Sequence, residues 1–249
     1  MVSFVNKLKP ASGFYRLFHF SLQFSLPILI FILIRLNFVQ LAFSLILLSK
    51  WRMFAIRPRF WPVNIQANAI DIIVGISLVL FMVNTTSMAL QLMWVLLYIV
   101  WLTVIKPATN LGMVSLQALI GQFLGLMALY VIWSAGSIWG ITLLVGVICY
   151  FAARHFLNNF EEPYDKLLAY FWAYFAAAFA WLTGHWLIYY KVISQPALLL
   201  SILGYGLALL YYFDNFKKIN RLIRWQFLGI IVFTVILIVF FSGWTNKAV

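Results

Sequence analysis

The sequence predicts an all-α protein, a polytopic integral membrane helix bundle of about nine transmembrane helices that forms a single transmembrane domain over residues 1–249. Two observations support this prediction. Hydrophobic residues make up 65% of the chain and charged residues only 9%, whereas about a quarter of an ordinary soluble domain is charged. Apolar stretches of nearly the 20 residues that a membrane helix needs also follow one another with short gaps. We therefore expect lipid to surround the whole chain.

Turn residues, prolines and short basic segments delimit the spans. Pro107 lies just beyond an apolar stretch and is a common helix stop, while uncharged turns such as 84–87 and 134–137 separate neighbouring spans. Span 2 is short for about 30 Å of hydrocarbon and crosses fully only if Lys50 and Arg52 extend outward to the headgroups, so a re-entrant span 2 stays open as an alternative. The predicted spans are residues 17–34, 38–49, 67–83, 88–105, 113–133, 138–153, 167–190, 197–213 and 225–244.

The distribution of positive charge predicts the topology. When the segments between nine spans are assigned alternately to two sides, 14 of the 17 Lys and Arg fall on the side of the N-terminus, and only Arg35, Lys191 and Lys247 fall on the other. Because basic loops stay in the cytoplasm, we expect a cytoplasmic N-terminus and an outside C-terminus in an inner or plasma membrane. The net charge of +12 is spread over span ends, which favours anionic lipid headgroups over nucleic acid as the partner.

A basic and aromatic segment between spans 2 and 3 is typical of a membrane surface. Its cations are predicted to contact lipid headgroups, because aromatic rings between them settle at the same level. The cations are Lys50, Arg52, Arg57 and Arg59, and the rings between them belong to Trp51, Phe54, Phe60 and Trp61.

Asp71 is the only acid inside an apolar span. Asn64, Asn68, Asp71 and Gly75 recur at helical spacing, so they share one face of span 3. Ionisable groups inside a membrane are costly and often mark a transport path. The sequence thus predicts a substrate, ion or proton path, with Gln117 and Gln122 of span 5 as further lining residues. The alternative is a structural role for Asp71, as the partner of Arg57 or Arg59 or at the positive end of a helix dipole.

The segment 154–166 is the main enzymatic lead. It concentrates His155, Glu161, Glu162 and Asp165, and acids beside a histidine can bind a divalent metal or activate a water. The alternative is helix capping before span 7, because acids are common at a helix start; Arg154 and Lys166 also flank these acids. No cofactor is assigned by any motif. The single cysteine, Cys149, excludes an internal disulfide.

Small residues at helical spacing predict tight helix packing. Gly121 and Gly125 lie in register in span 5, and span 7 carries a row of Ala169, Ala173, Ala177, Ala180 and Gly184.

Three functions remain open from the sequence. They are a small permease or translocation subunit with a polar site near Asp71, a structural or assembly subunit that contacts another membrane protein or a second copy, and an interfacial enzyme that acts on lipid or peptide.

Overall fold

The computed structural model describes residues 13–55, 57–133, 136–160, 162–185, 189–190, 193–215 and 220–241. Apart from one pairing of two-residue strands, the regular structure in these ranges is helical, which confirms the all-α prediction. The strands are β1, Tyr189–Tyr190, and β2, Ile193–Ser194, which pair antiparallel. The helices are α1 Gly13–Arg35, α2 Val39–Leu48, α3 Trp61–Asn84, α4 Met88–Val100, α5 Leu111–Trp133, α6 Ile138–Asn159, α7 Asp165–Gly184, α8 Gln195–Asn215 and α9 Arg221–Phe240.

Within the described residues, seven helical segments are long and apolar enough to cross a membrane, which is compatible with a membrane protein. The apolar segment Ser21–Arg35 of α1 and helix α2 are shorter. Two 3-10 turns, Trp51–Met53 and Pro58–Phe60, connect α2 to α3. The seven segments are Pro58–Asn84, Met88–Ile105, Leu111–Trp133, Ile138–Asn158, Asp165–Gly184, Gln195–Asp214 and Arg221–Phe240.

Several helices extend further than their predicted spans. α3 begins at Trp61 rather than near residue 67, because Pro62 suits the first helical turn and the Asn and Gln residues that follow do not interrupt backbone hydrogen bonding. α6 continues past Ala153 to Asn159. α7 instead ends at Gly184, before the predicted end of span 7 at residue 190.

The turn between α1 and α2 follows from its residues. Asn37 adopts a left-handed conformation with φ 62°, which asparagine tolerates better than most residues. The amide of Phe38 donates to the carbonyl of Leu33 at 2.8 Å, and that of Asn37 donates to Ile34 at 3.0 Å. This pattern is a Schellman motif, which ends α1 and reverses the chain directly into α2.

Helices α3 and α5 form the centre of the bundle, and glycines set the distance between them. A Cβ atom at Gly121 would lie 2.8 Å from Cγ2 of Ile70, and one at Gly125 would lie 2.6 Å from Cγ2 of Ile73 and 3.1 Å from Cγ2 of Ile148. The two backbones therefore approach more closely than any larger residue allows. This confirms the tight packing predicted for span 5.

The row of small residues in α7 faces α6. A Cβ atom at Gly146 of α6 would lie 3.4 Å from Cβ of Ala177 and 3.6 Å from the carbonyl oxygen of Ala173. Gly184 similarly meets the side chain of Ile138 at 3.1 Å. The sequence prediction for span 7 is thus also confirmed.

Charged side chains gather at one end of the bundle, which we call the basic end and define by Lys50, Lys106, Arg154 and Arg224. α4, α6 and α8 finish at this end and α5, α7 and α9 begin there. The sides of the bundle are apolar instead. Large exposed side chains there include Phe171 at 73% and Phe240 at 78% exposure, a surface that lipid accommodates better than water.

We expect Gly125→Ala to lower the free energy of unfolding by about 1–3 kcal/mol, because the new methyl group must displace branched side chains on two helices. Gly229→Ala is the matched control, since nothing lies within 4 Å of a Cβ at that position of α9. This control should be neutral or slightly stabilising, because alanine favours helix. Thermal melting of the purified protein in detergent measures both changes, and equal melting temperatures for the two variants would contradict the glycine contact.

Candidate functional site

Asp71 lies buried between two lysines, with 7% of the residue exposed. Its Oδ2 atom accepts a hydrogen bond from Lys50 Nζ and lies 2.6 Å from Lys106 Nζ, and its Oδ1 atom accepts one from Trp101 Nε1 at 2.9 Å. We call these three charged residues the Lys50–Asp71–Lys106 cluster. Each carboxylate oxygen therefore has a donor, as a buried charge requires.

These partners differ from the Arg57 or Arg59 that the sequence suggested. Lys50 follows the end of α2, and Lys106 follows the helix that begins with α4, so both chain segments reach the level of Asp71. Arg57 and Arg59 precede α3 and are exposed. The Cζ atom of Arg59 lies 4.5 Å from the centre of the Phe60 ring. Lys50 is buried against Asp71, and the side chain of Arg52 lies outside the described residues, so headgroup contact by these cations stays a prediction.

A π-helical turn, Trp101–Ile105, brings two of the groups to Asp71. The amide of Lys106 donates to the carbonyl of Trp101, five residues earlier, at 2.8 Å. In an α-helix, residues five apart differ by about 140° around the axis, whereas a π-turn places them nearly above one another. The widened turn therefore directs both Trp101 and Lys106 to the same carboxylate. The sequence carried no signal for this turn.

The cluster holds two ammonium groups for one carboxylate. The pKa of Lys50 is lowered from 10.5 to about 6, mainly by burial and secondly by the positive charge of Lys106. Burial also lowers the pKa of Lys106, whose side chain is 37% exposed. Because one carboxylate compensates only one cation, the cluster favours either the loss of a proton or the arrival of a second anion.

An open cavity of about 490 Å³ borders the cluster between α1, α2 and the π-turn. Lys50 and Lys106 both line it, whereas Asp71 does not. Gln23, Ser25 and Ser49 add polar groups. The rest of the lining is mainly leucine, contributed by Leu22, Leu26, Leu29, Leu45, Leu48 and Leu102. The cavity thus combines two lysines with a hydrocarbon-like wall.

The predicted polar face of α3 is closed by packing on the far side of Asp71. Asn68 donates to the carbonyl of Asn64 at 2.9 Å, and the Asn64 side-chain nitrogen is buried without a hydrogen-bond partner among the described residues. One turn beyond Asp71, a Cβ atom at Gly75 would lie 2.9 Å from Tyr98 Oη and 3.1 Å from Ile46 Cγ2. In this structure, a path along the face ends at the cluster.

Gln117 binds the chain that follows the π-turn. Its Nε2 atom donates to the carbonyls of Ile105 at 2.6 Å and Ala108 at 3.0 Å, and its Oε1 atom lies 3.0 Å from His155 Nε2. The last carbonyls of a helix lack partners within the helix, and Gln117 supplies one. Gln117 does not line the cavity beside the cluster.

Gln122 joins three helices elsewhere in the bundle. It donates to the carbonyl of Leu200 in α8 at 2.9 Å and accepts from Trp172 Nε1 in α7 at 3.2 Å. The two glutamines therefore lie in separate contacts and do not form a shared path with Asp71. Their type was visible in the sequence, whereas their partners depend on which helices pack together.

Arg154 forms a second buried charged contact that the sequence did not single out as a site. It is 6% exposed and pairs with Asp165 at the start of α7. With the amide of Gln66 oriented to satisfy both partners, its oxygen accepts two hydrogen bonds from the guanidinium at 2.8 Å. One side chain of α6 thereby connects α7 to α3.

The acids predicted to act together face different helices. Asp165 pairs with Arg154, Glu162 accepts from Tyr211 Oη at 2.9 Å, and His155 lies against Gln117. Glu161 lies outside the described residues. Over the described ranges, no three His, Cys, Asp or Glu side chains come close enough to hold a metal ion. This geometry gives no support to a metal-dependent reaction at that segment.

Comparison of the chain with protein-family models, with curated proteins and with solved structures finds no match.

We expect Arg154→Gln to destabilise the fold by about 3–5 kcal/mol, because it leaves the Asp165 carboxylate without its cation in a largely buried site. The control is Arg224→Gln, which breaks the pair of Arg224 with Asp214. The side chains of these two residues are 43% and 44% exposed. Exposed pairs contribute about 0–1 kcal/mol. The midpoint of thermal unfolding distinguishes the two, and a similar loss in both variants would refute the structural role of Arg154.

The lowered pKa of Lys50 predicts that stability depends on pH. Between about pH 6 and pH 10, the folded protein has released a proton from Lys50 that the unfolded chain, with a pKa of 10.5, still holds. The free energy of unfolding should therefore rise with pH, by up to about 1.4 kcal/mol per unit from this group. Chemical unfolding from pH 6.5 to 9 measures this slope.

The contribution of Lys50 is obtained by comparing variants. Lys50→Gln should reduce the slope, whereas Lys166→Gln, which changes an exposed lysine, should preserve it. If wild type and Lys50→Gln give the same slope, Lys50 keeps its proton in the folded state and the assignment is wrong.

Proposed function

We propose that this protein is a small permease or translocation subunit of the inner or plasma membrane, and that its substrate is an anionic amphiphile. The observation that supports the proposal is the Lys50–Asp71–Lys106 cluster, where two lysines share one carboxylate beside an open cavity with a leucine-rich wall. Without a ligand, the lowered pKa leaves Lys50 largely uncharged above about pH 6, and an anion in the cavity would compensate the charge of a second protonated lysine.

The chemistry of the cavity defines the substrate class. A phosphate or carboxylate headgroup would accept charge-assisted hydrogen bonds from Lys50 and from the partly exposed Lys106. The leucines would contact the attached hydrocarbon chain. A small hydrophilic anion would leave this wall unused, and a neutral lipid would form no ion pair with the two lysines, so an amphiphile that carries both parts suits the cavity best.

We further propose nine membrane crossings with a cytoplasmic N-terminus and an outside C-terminus. Gln23 and Lys50 line the same cavity, which supports a hairpin of α1 and α2 with both outer ends at the basic end. Arg35, at the turn of this hairpin, would then lie on the opposite side with few other cations. Exposed Arg57 and Arg59 at the basic end would attract anionic headgroups towards the cavity.

A groove between α6 and α7 supports a second candidate, a structural or assembly subunit. This open groove on the side of the bundle has Gly146, Ala173 and Ala177 at its base and rings such as Tyr170 and Tyr174 along its wall, 62% and 78% exposed. Small residues let another helix approach closely, so a membrane helix of a partner or of a second copy would fit this groove. Such a subunit needs no transfer of substrate at the cluster.

Reconstitution into liposomes tests the proposal. The probe is phosphatidic acid with a fluorescent chain, and its transfer between leaflets is followed by adding a quencher to the outside only. We expect the protein to accelerate the transfer of this anionic probe more than that of fluorescent phosphatidylcholine. Lys106→Gln should reduce the accelerated rate about 10-fold or more, the order expected for a lost hydrogen bond to a charged group.

Lys166→Gln is the matched control, because this exposed lysine at the basic end does not line the cavity. It should retain the wild-type rate. Transfer of both probes at the rate of empty liposomes, with the protein folded and inserted, would refute the permease and favour the structural subunit. Equal loss in Lys106→Gln and Lys166→Gln would show that net charge alone matters and would refute the cavity as the site.

A further inference from the structure

A second cavity lies between α5, α6, α7 and α8, apart from the Lys50–Asp71–Lys106 cluster. Its volume is about 230 Å³, and none of the described side chains that line it is charged. Small residues create the space, among them Ala118, Ala152, Gly204 and Ala208. A Cβ atom at Gly204 would lie 2.5 Å from Cζ2 of Trp172, so the wall is firmly packed at that point. Apolar cavities of about 150 Å³ already bind benzene, so this one holds a larger group.

The residues that line the cavity are partly buried and partly exposed. Ser201, Ala118 and Ala152 are buried, with at most 5% of each residue exposed. Leu207 and Tyr211 also line it and are 45% and 43% exposed. Ser201 and Tyr211 lie ten residues apart on α8, or about 15 Å along the helix axis. We expect a ligand to enter beside the exposed Leu207 and Tyr211 and to extend towards Ser201.

Unused hydrogen-bond donors lie in the buried part of the lining. The hydroxyl of Ser201 is buried and has no hydrogen-bond partner among the described residues, although a helical serine commonly donates to a carbonyl of the preceding turn. Gln122 lines the same cavity, and its amide nitrogen, which carries two hydrogens, donates to one acceptor among the described residues, the Leu200 carbonyl. The Gln122 oxygen already accepts from Trp172. The wall thus offers donors without an acceptor.

We propose that this cavity binds a neutral lipophilic molecule whose carbonyl oxygen accepts a hydrogen bond from Ser201. A buried hydroxyl without a partner is destabilising. A carbonyl oxygen has two lone pairs, so it can accept hydrogen bonds from this hydroxyl and from the neighbouring Gln122 amide nitrogen. A carboxylate or an amine is excluded as the ligand, because no lining side chain would compensate its charge. This site is distinct from the anionic site of the proposed function in both position and chemistry.

The probes that test the proposal are acetophenone and ethylbenzene, which have nearly the same shape and differ in the carbonyl group. Binding to the full-length protein in lipid nanodiscs is measured by calorimetry, with empty nanodiscs subtracted to remove partitioning into lipid. We expect one saturable site for acetophenone, with an affinity about fivefold higher than that for ethylbenzene, as one net hydrogen bond provides.

Three variants locate the site. Ser201→Ala should bring the affinity ratio of the two probes close to one without loss of thermal stability, because it removes only an unpartnered hydroxyl. Ala208→Leu should fill the cavity and abolish binding of both probes. Ala178→Leu adds the same bulk to an exposed position of α7 outside the cavity and should change neither affinity.

Two results would overturn the proposal. The first is the absence of saturable acetophenone binding to the wild-type protein. The second is an acetophenone preference that survives in Ser201→Ala, which would place the carbonyl elsewhere. Because Ser201→Ala leaves the packing unchanged, this second result is informative even if Ala208→Leu fails to fold.

Discussion

The buried carboxylate of Asp71 is the constraint on which the arrangement of the first four helices depends. A charge held among apolar side chains needs donors on each oxygen, and here they come from two other segments of the chain, the end of α2 and the π-turn that follows α4. The end of α2 must therefore stop beside α3, and α4 must widen into a π-turn before it ends. A single acid thus determines where two helices terminate, because an unpaired charge at that depth would cost more than the irregular turn does.

The same requirement organises the rest of the basic end. Gln117 supplies a partner to the carbonyls after the π-turn, and Arg154 joins α6 to Asp165 of α7 and to Gln66 of α3. Away from this end, close approach at glycines sets the contact of α3 with α5, and Gln122 adds hydrogen bonds from α5 to α7 and α8. The bundle therefore combines a polar layer, which fixes the register of the helices, with an apolar body that sets their separation.

The two cavities differ in whether ionisable side chains line them. The cavity beside Asp71 presents lysines and leucines, which suits an anionic amphiphile. The cavity between α5 and α8 presents no charge and a buried hydroxyl, which suits a neutral lipophile. In both proposals, the ligand is the one whose chemical group pairs with what the cavity wall leaves unpaired. The two cavities would therefore discriminate strongly between these classes of molecule.

The sequence by itself determined the helical fold, the approximate helix positions, the close contacts at Gly121 and Gly125, and Asp71 as the one acid within an apolar span. These features are local, because they follow from apolar length and from spacing along one helix. Only the tertiary structure decided that Lys50 and Lys106, and not Arg57 or Arg59, are the partners of Asp71. It also sent Gln117, Gln122 and the acids after α6 to separate helices. Such pairings depend on how helix ends align across the bundle, and residues distant in sequence carry no periodic pattern that records this alignment.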